Sequence, residues 1–157
     1  MTQNLITRRH ILAGLLATPA LSALPAIAAT PHLIVHKDPS CGCCGAWVKV
    51  MQRSGFTAEI NNMDYDTLYE FKRAGGIQDD LMSCHTAEVE GYLIEGHVPA
   101  SDLNRLLAER PEAIGLTVPG MPYGAPGMGP ESERDAYDVL LIRKDGSTEL
   151  FARYPAA

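Results

Sequence analysis

The chain has 157 residues, 46% of them hydrophobic and 20% charged, with a net charge of −6 at neutral pH. That length suits one domain with a buried core. An acidic balance without a Lys/Arg cluster excludes nucleic acid as a partner and is compatible with cations.

Residues 1–28 read as an export signal rather than as part of a fold. Arg8 and Arg9 form a positive start, an apolar stretch follows from Ile11, and Ala26-Ile27-Ala28 offers a small-residue cleavage site. Arg8-Arg9 after Thr7, with Ile11 and Leu12 behind, resembles the twin-arginine signal that exports folded proteins. The alternative is an uncleaved membrane anchor, but Pro19 and Pro25 interrupt the apolar run. The expected mature protein is residues 29–157, periplasmic or otherwise extracytoplasmic, with no membrane contact after cleavage. All four cysteines lie in this part, where an oxidising compartment makes disulfides the ordinary expectation.

The mature part opens with a short apolar run at residues 32–36, a predicted strand. Asp38-Pro39-Ser40 breaks it, and Ser40 is expected to cap a helix over residues 44–53, where Trp47, Val48, Val50 and Met51 recur at helical spacing. Gly55 stops this helix. Phe56, Ala58 and Ile60 alternate with polar residues as a second strand. Strand–helix–strand at this spacing predicts parallel strands joined by a right-handed crossover. A second helix is predicted over residues 65–74, capped by Asp64 and stopped by Gly75-Gly76. Residues 86–90 and 92–94 flank Gly91 as a hairpin. A third helix begins near Ser101, with Leu103, Leu106 and Leu107 on one face, and stops at Pro111. Residues 115–130 form a Gly/Pro-rich loop with Met121 and Met128. Residues 137–143 and 148–154 flank Lys144-Asp145-Gly146, a hairpin turn signal. The order β-α-β-α-β-β-α is that of a thioredoxin-like, three-layer α/β domain, and the last hairpin is an addition to it.

Cys41 and Cys44 form C-x-x-C where the first helix begins. The free N–H groups and positive dipole end of a helix stabilise a thiolate there. A thiolate is both a redox nucleophile and a metal ligand, so this placement serves either use. A Cys41–Cys44 disulfide would leave Cys43 over, either as a small buried hydrophobe or as a third thiolate that a cation must neutralise. Ser83-Cys84-His85-Thr86 lies before the predicted hairpin, where thioredoxin-like redox proteins usually carry a cis-proline facing C-x-x-C. No proline stands between Pro39 and Pro99. Either Cys84 and His85 turn toward Cys41 and Cys44, or Cys84 pairs with Cys43 and His85 lies on the surface. His97, in Glu95-Gly96-His97-Val98-Pro99, is a ligand candidate or a solvated histidine. His32 and His36 read as surface or strand-end residues, and Met121 and Met128 as soft donors or gap fillers. Thiolates with imidazoles suit zinc, Cu(I) or an iron–sulfur cluster. Zinc sites usually show a second paired knuckle, and ferredoxin spacings are absent, so a cysteine-dense site in an exported chain favours copper.

Cys41-Gly42-Cys43-Cys44-Gly45 with Trp47, Ser83-Cys84-His85-Thr86-Ala87, Gly91-Tyr92, Glu95-Gly96-His97-Val98-Pro99-Ala100, Val118-Pro119-Gly120-Met121-Pro122 and Pro126-Gly127-Met128 together resemble the CopG-type family of exported bacterial proteins. The likeness spans about residues 31–154. It implies a thioredoxin-like fold and copper resistance or handling outside the cytoplasm. It makes Cys41, Cys43, Cys44 and Cys84 the thiolate donors, with His85 and His97 at matching positions. The expected cargo is Cu(I), with room for more than one ion because thiolates bridge metals. Expected partners are metal ions and other copper-handling proteins. A thiol–disulfide oxidoreductase using Cys41 as attacking and Cys44 as resolving thiol is the second reading. A structural domain with two disulfides is the third. Whether the chain is an enzyme stays open at this level.

Overall fold

The structure is a computed structural model that describes residues 30–157. The export-signal reading of residues 1–28, with Arg8-Arg9 and the Ala26-Ile27-Ala28 site, lies outside the described residues. Among the described residues, no helix is long and apolar enough to cross a membrane.

The described residues form seven strands and three α-helices. They are β1 (His32–Lys37), α1 (Gly42–Arg53), β2 (Thr57–Asn62), α2 (Tyr65–Ala74), β3 (His85–Val89), β4 (Tyr92–Glu95), α3 (Ala100–Glu109), β5 (Gly115–Thr117), β6 (Tyr137–Ile142) and β7 (Thr148–Tyr154). The strands form one mixed sheet in the order β2-β1-β3-β4-β5-β6-β7. β1 and β2 are parallel, as strand–helix–strand spacing requires, and β3 returns antiparallel to β1 with His85 opposite Lys37. That register brings the start of β3 beside the chain that leaves β1 for α1.

Side-chain alternation divides the apolar residues between the two faces of the sheet. Leu33, Val35, Ala87, Val89, Ile94, Leu116 and Leu141 share one cluster with Trp47, Val48 and Met51 of α1 and Leu103 and Leu106 of α3. Ile142 joins Ile77 and Leu81 in a smaller cluster with Leu93 and Leu140. α2 packs on this second side, where Phe71 lies against His36 with ring centroids 4.2 Å apart and the ring planes tilted by 38°. Asp64 caps α2 by accepting from the Thr67 N–H, as its sequence position predicts. The β3–β4 turn carries positive φ at Glu90 (46°) and Gly91 (87°), the two-residue geometry that suits a right-twisted hairpin.

Three expectations are corrected. α1 starts at Gly42 rather than Cys44, and its N-cap is Cys41, not Ser40. The Ser40 N–H and hydroxyl both turn back to the Asp38 carboxylate, so that side chain is not free to cap. Residues 115–117, expected within a loop, form β5, which pairs parallel with β4 and antiparallel with β6. His36 is buried rather than superficial. Its Nε2 lies 2.7 Å from Glu88 Oε1, and Asn61 lies 3.2 Å from its Nδ1.

Candidate metal centre

The first turn of α1 has no acidic residue, and Cys41 makes no side-chain cap. The free N–H groups and the dipole of this turn therefore act directly on the sulfurs around it. Cys41 and Cys44 are joined in a disulfide, while Cys43 and Cys84 are free. Cys43 Sγ lies 3.5 Å from Cys41 Sγ and 3.8 Å from Cys84 Sγ. Cys44, fully buried, is 3.7 Å from the carbonyl oxygen of Cys84. All four sulfurs lie within 4.8 Å of one another. The alternative in which Cys84 pairs with Cys43 and His85 lies on the surface is not what the structure contains.

The imidazoles approach from the Cys84 side. Cys84, His85 and His97 offer ligand atoms that also lie within 4.8 Å of one another. His85 opens β3 on the core side, its ring 4.6 Å from Trp47 and 5.0 Å, edge-on, from His97. Its Nδ1 is 3.5 Å from Cys84 Sγ, and its Nε2 is buried without a hydrogen-bond partner. His97 Nε2 is 3.1 Å from Cys84 Sγ. Its Nδ1 is 2.8 Å from the Pro126 carbonyl oxygen, which can only accept, so the proton sits on Nδ1 and the Nε2 lone pair faces the sulfur. An imidazole tied to a carbonyl through one nitrogen, with the other aimed at a thiol, is a donor group held ready for a metal.

Burial decides the protonation states. It holds His85 well below the usual imidazole range, with His97 adding to the effect. It also lowers His97, against the opposing pull of the Pro126 bond. Burial, and then the neighbouring Cys43, push the Cys84 thiol up to about 12. The site at rest is thus neutral imidazole beside neutral thiol, and a cation must displace the Cys84 proton to use that sulfur.

Two supports escape a reading of the cysteines and histidines alone. The first is a buried ion pair. Lys72 of α2, 3% exposed, meets Glu95 of β4, which is fully buried. Lys72 Nζ also donates to Ser83 O at 3.0 Å, and Glu95 accepts from the Ser83 N–H at 2.6 Å and from Thr86 Oγ1 at 2.5 Å. Both backbone groups of the residue before Cys84 are held by one pair of opposite charges. Its sequence signal is Lys72, which follows Leu68 by four residues on the buried face of α2. The second support is the loop after β5. A Cβ on Gly127, at φ +87°, would come within 2.6 Å of the Trp47 backbone N, so the loop rests against α1 and brings the Pro126 carbonyl to His97. Met128 of this loop is half-buried, Met121 is exposed, and His32 is exposed at the start of β1.

Comparison with known proteins supplies the family. Residues 81–128 match a family model described as "Protein of unknown function, DUF411". Two solved structures, described as "Copper resistance protein copG", Forms 1 and 2, are each 37% identical to this chain with a TM-score of 0.74. Form 1 covers 80% of this chain and 98% of its own, and Form 2 covers 81% and 100%. This chain belongs to the CopG family of copper resistance proteins. Its mixed sheet with three helices matches the CopG structures over nearly their whole length. No match is found among curated proteins. The DUF411 match contains Cys84, His85, His97 and the Gly127 loop, whereas Cys41, Cys43 and Cys44 of this CopG family member lie before it.

Proposed function

We propose that this protein captures copper, as Cu(I), through Cys41, Cys43, Cys44 and Cys84 with His85 and His97, in copper resistance or homeostasis outside the cytoplasm. The observation that carries this reading is the convergence of four sulfurs at a helix N-terminus with two neutral imidazoles on the Cys84 side. Soft thiolates select Cu(I) over harder ions. His85 Nδ1, 3.5 Å from Cys84 Sγ, is the buried imidazole atom that an ion at Cys84 would use. Two of the sulfurs are tied in the disulfide, so full capture follows reduction of Cys41–Cys44 by a dithiol donor, which gives up two electrons and two protons. Four sulfurs in one cluster allow thiolates to bridge, and we place more than one ion there. The surroundings follow the thioredoxin-like plan, supported by the order β2-β1-β3-β4 with the cysteines at the start of α1. The export signal at residues 1–28 takes the chain to the periplasm, where its partners are copper ions and other copper-handling proteins.

The disulfide itself favours a second reading, thiol–disulfide exchange. Cys41, the more accessible thiol, attacks a substrate disulfide. Cys44, fully buried, then displaces the substrate as a dithiol and restores Cys41–Cys44. One set of measurements separates the two. The reduced protein and its Cys43→Ser and Cys84→Ser variants are titrated anaerobically with Cu(I), and disulfide reductase turnover is measured on insulin. Copper capture predicts several-fold loss of bound copper in both variants. Full reductase turnover without copper uptake overturns it.

A further inference from the structure

One side of the sulfur cluster opens into a cleft of about 560 Å³ between α2 and the chain leading to Cys84. Asp38, Cys41, Leu68, Tyr69, Met82 and Cys84 line it. Of the six residues assigned to copper, Cys41 and Cys84 alone reach this space. Cys44, His85 and His97 are fully buried. A bare ion needs far less room, and the volume lies within the range of small-molecule sites. The cleft therefore has room for copper with its carrier ligands attached.

Met82 is a soft donor on this cleft that the site itself does not use. Its backbone is extended (φ −75°, ψ 151°), and it stands two residues before Cys84. In an extended chain, residues two apart turn to the same side, and both line the cleft. The segment is held in place. The Met82 carbonyl accepts from the Gly120 N–H at 3.0 Å, and Leu81 beside it is buried against Ile77 and Ile142. The Met82 side chain is half-buried and packs against this cluster of Ile77, Leu81 and Ile142, a contact that a branched aliphatic side chain would make as well, so packing alone does not require sulfur at position 82. The charged residues of the lining are Asp38, Asp79 and Lys72, the last neutralised by its pairing with Glu95.

We propose that this cleft is the route by which copper arrives and that Met82 is the thioether that first takes Cu(I) from its carrier and hands it to Cys84. The carrier is a Cu(I) complex of thiol or thioether ligands. The transfer is ligand exchange without change of oxidation state. A Met82 sulfur–copper bond forms as a carrier bond breaks. A Cys84 sulfur–copper bond then replaces it, and the Cys84 proton leaves to solvent. A thioether is a neutral, weaker donor than a thiolate, so Met82 speeds transfer without holding the ion.

This inference rests on the copper-capture reading, and the test separates their failures. Uptake of Cu(I) from its glutathione complex by the reduced full-length protein is followed by stopped-flow absorbance. Final affinity is measured by competition with bicinchoninate. Met82→Leu keeps the apolar volume and removes the sulfur. It is expected to slow uptake at least about fivefold and to leave stoichiometry and affinity unchanged, while Met128→Leu keeps the wild-type rate. An unchanged rate in Met82→Leu, or equal slowing in Met128→Leu, overturns the route. Loss of affinity in Met82→Leu as large as in Cys84→Ser overturns the relay, because Met82 would then be a permanent ligand. Failure of the wild-type protein to take up copper at all overturns the capture reading beneath both.

Discussion

Replacing Lys72 by Met tests what the buried ion pair does. The substitution keeps an unbranched chain on the buried face of α2 and removes the ammonium. Glu95 keeps its bonds from the Ser83 N–H and Thr86 Oγ1 but loses its opposite charge while fully buried. Charges 4 Å apart attract by about 4 kcal/mol at an effective dielectric near 20. The variant no longer has to desolvate an ammonium, which offsets part of that loss. Breaking a buried pair from one side typically costs about 3–5 kcal/mol, and we expect about 3 kcal/mol here. Burial already raises Glu95 above the usual carboxylate range, and Lys72 pulls it back. Without Lys72 it rises further. A carboxyl raised in the folded state contributes stability that is full below its unfolded pKa and is lost as pH rises through its folded one. The defect should therefore be smaller near pH 5 than near pH 8, by about 1 kcal/mol or more, since a tenfold change in proton affinity corresponds to about 1.4 kcal/mol. Urea unfolding of the metal-free protein at both pH values measures this. A second substitution, Glu95→Gln, should recover most of the loss. A Lys72→Met defect below about 1 kcal/mol, or one equal at both pH values, would refute the argument that this pair is charged and holds Ser83 in place.

Trp47→Phe removes the indole N–H that donates to the buried Val98 carbonyl at 2.9 Å. Leaving that acceptor unpaired should cost about 1–3 kcal/mol by urea unfolding. Gly127→Ala places a methyl against the Trp47 backbone at a positive φ, and should both destabilise the protein by about 1–2 kcal/mol and free His97 Nδ1 from Pro126. Loss of that bond would show in the 15N shift of the ring, and an unchanged shift would mean that the loop does not set the tautomer. The Cys84 thiol, pushed up to about 12, must lose its proton to bind copper. Apparent Cu(I) affinity should therefore climb by at least about tenfold per pH unit between pH 6 and 8, and a flat profile would contradict a neutral resting thiol.

Local chemistry made much of the fold legible. α2 runs from Tyr65 to Ala74, as its Asp64 cap and Gly75-Gly76 stop predict, because both signals act within one turn. β5 was hidden because three residues in a Gly/Pro-rich stretch carry no period of their own. Pairing with β4 and β6 makes the strand, and those partners are distant in sequence. Ser40 misled for a similar reason, since the nearby Asp38 carboxylate competes for its hydrogen bonds. At the site, residue type and position singled out the four cysteines, His85 and His97, and the structure gathers them. Their supports were less visible. Lys72 and Glu95 look like surface charges until α2 packs over β4, and the Pro126 carbonyl has no side-chain signature at all.

The spacing of the sulfurs along the chain also sets an order of events. Cys41, Cys43 and Cys44 are neighbours in any conformation, whereas Cys43 and Cys84 are 41 positions apart and meet only after β3 has docked antiparallel on β1. His97 joins through a further hairpin. A metal ion that meets the chain while it is still unfolded finds a three-sulfur trap without Cys84, His85 or His97 beside it. One that meets it afterwards finds the assembled pocket. If this protein captures copper as proposed, its maturation is a race between folding and metallation, and the winner decides which ligands the first ion sees.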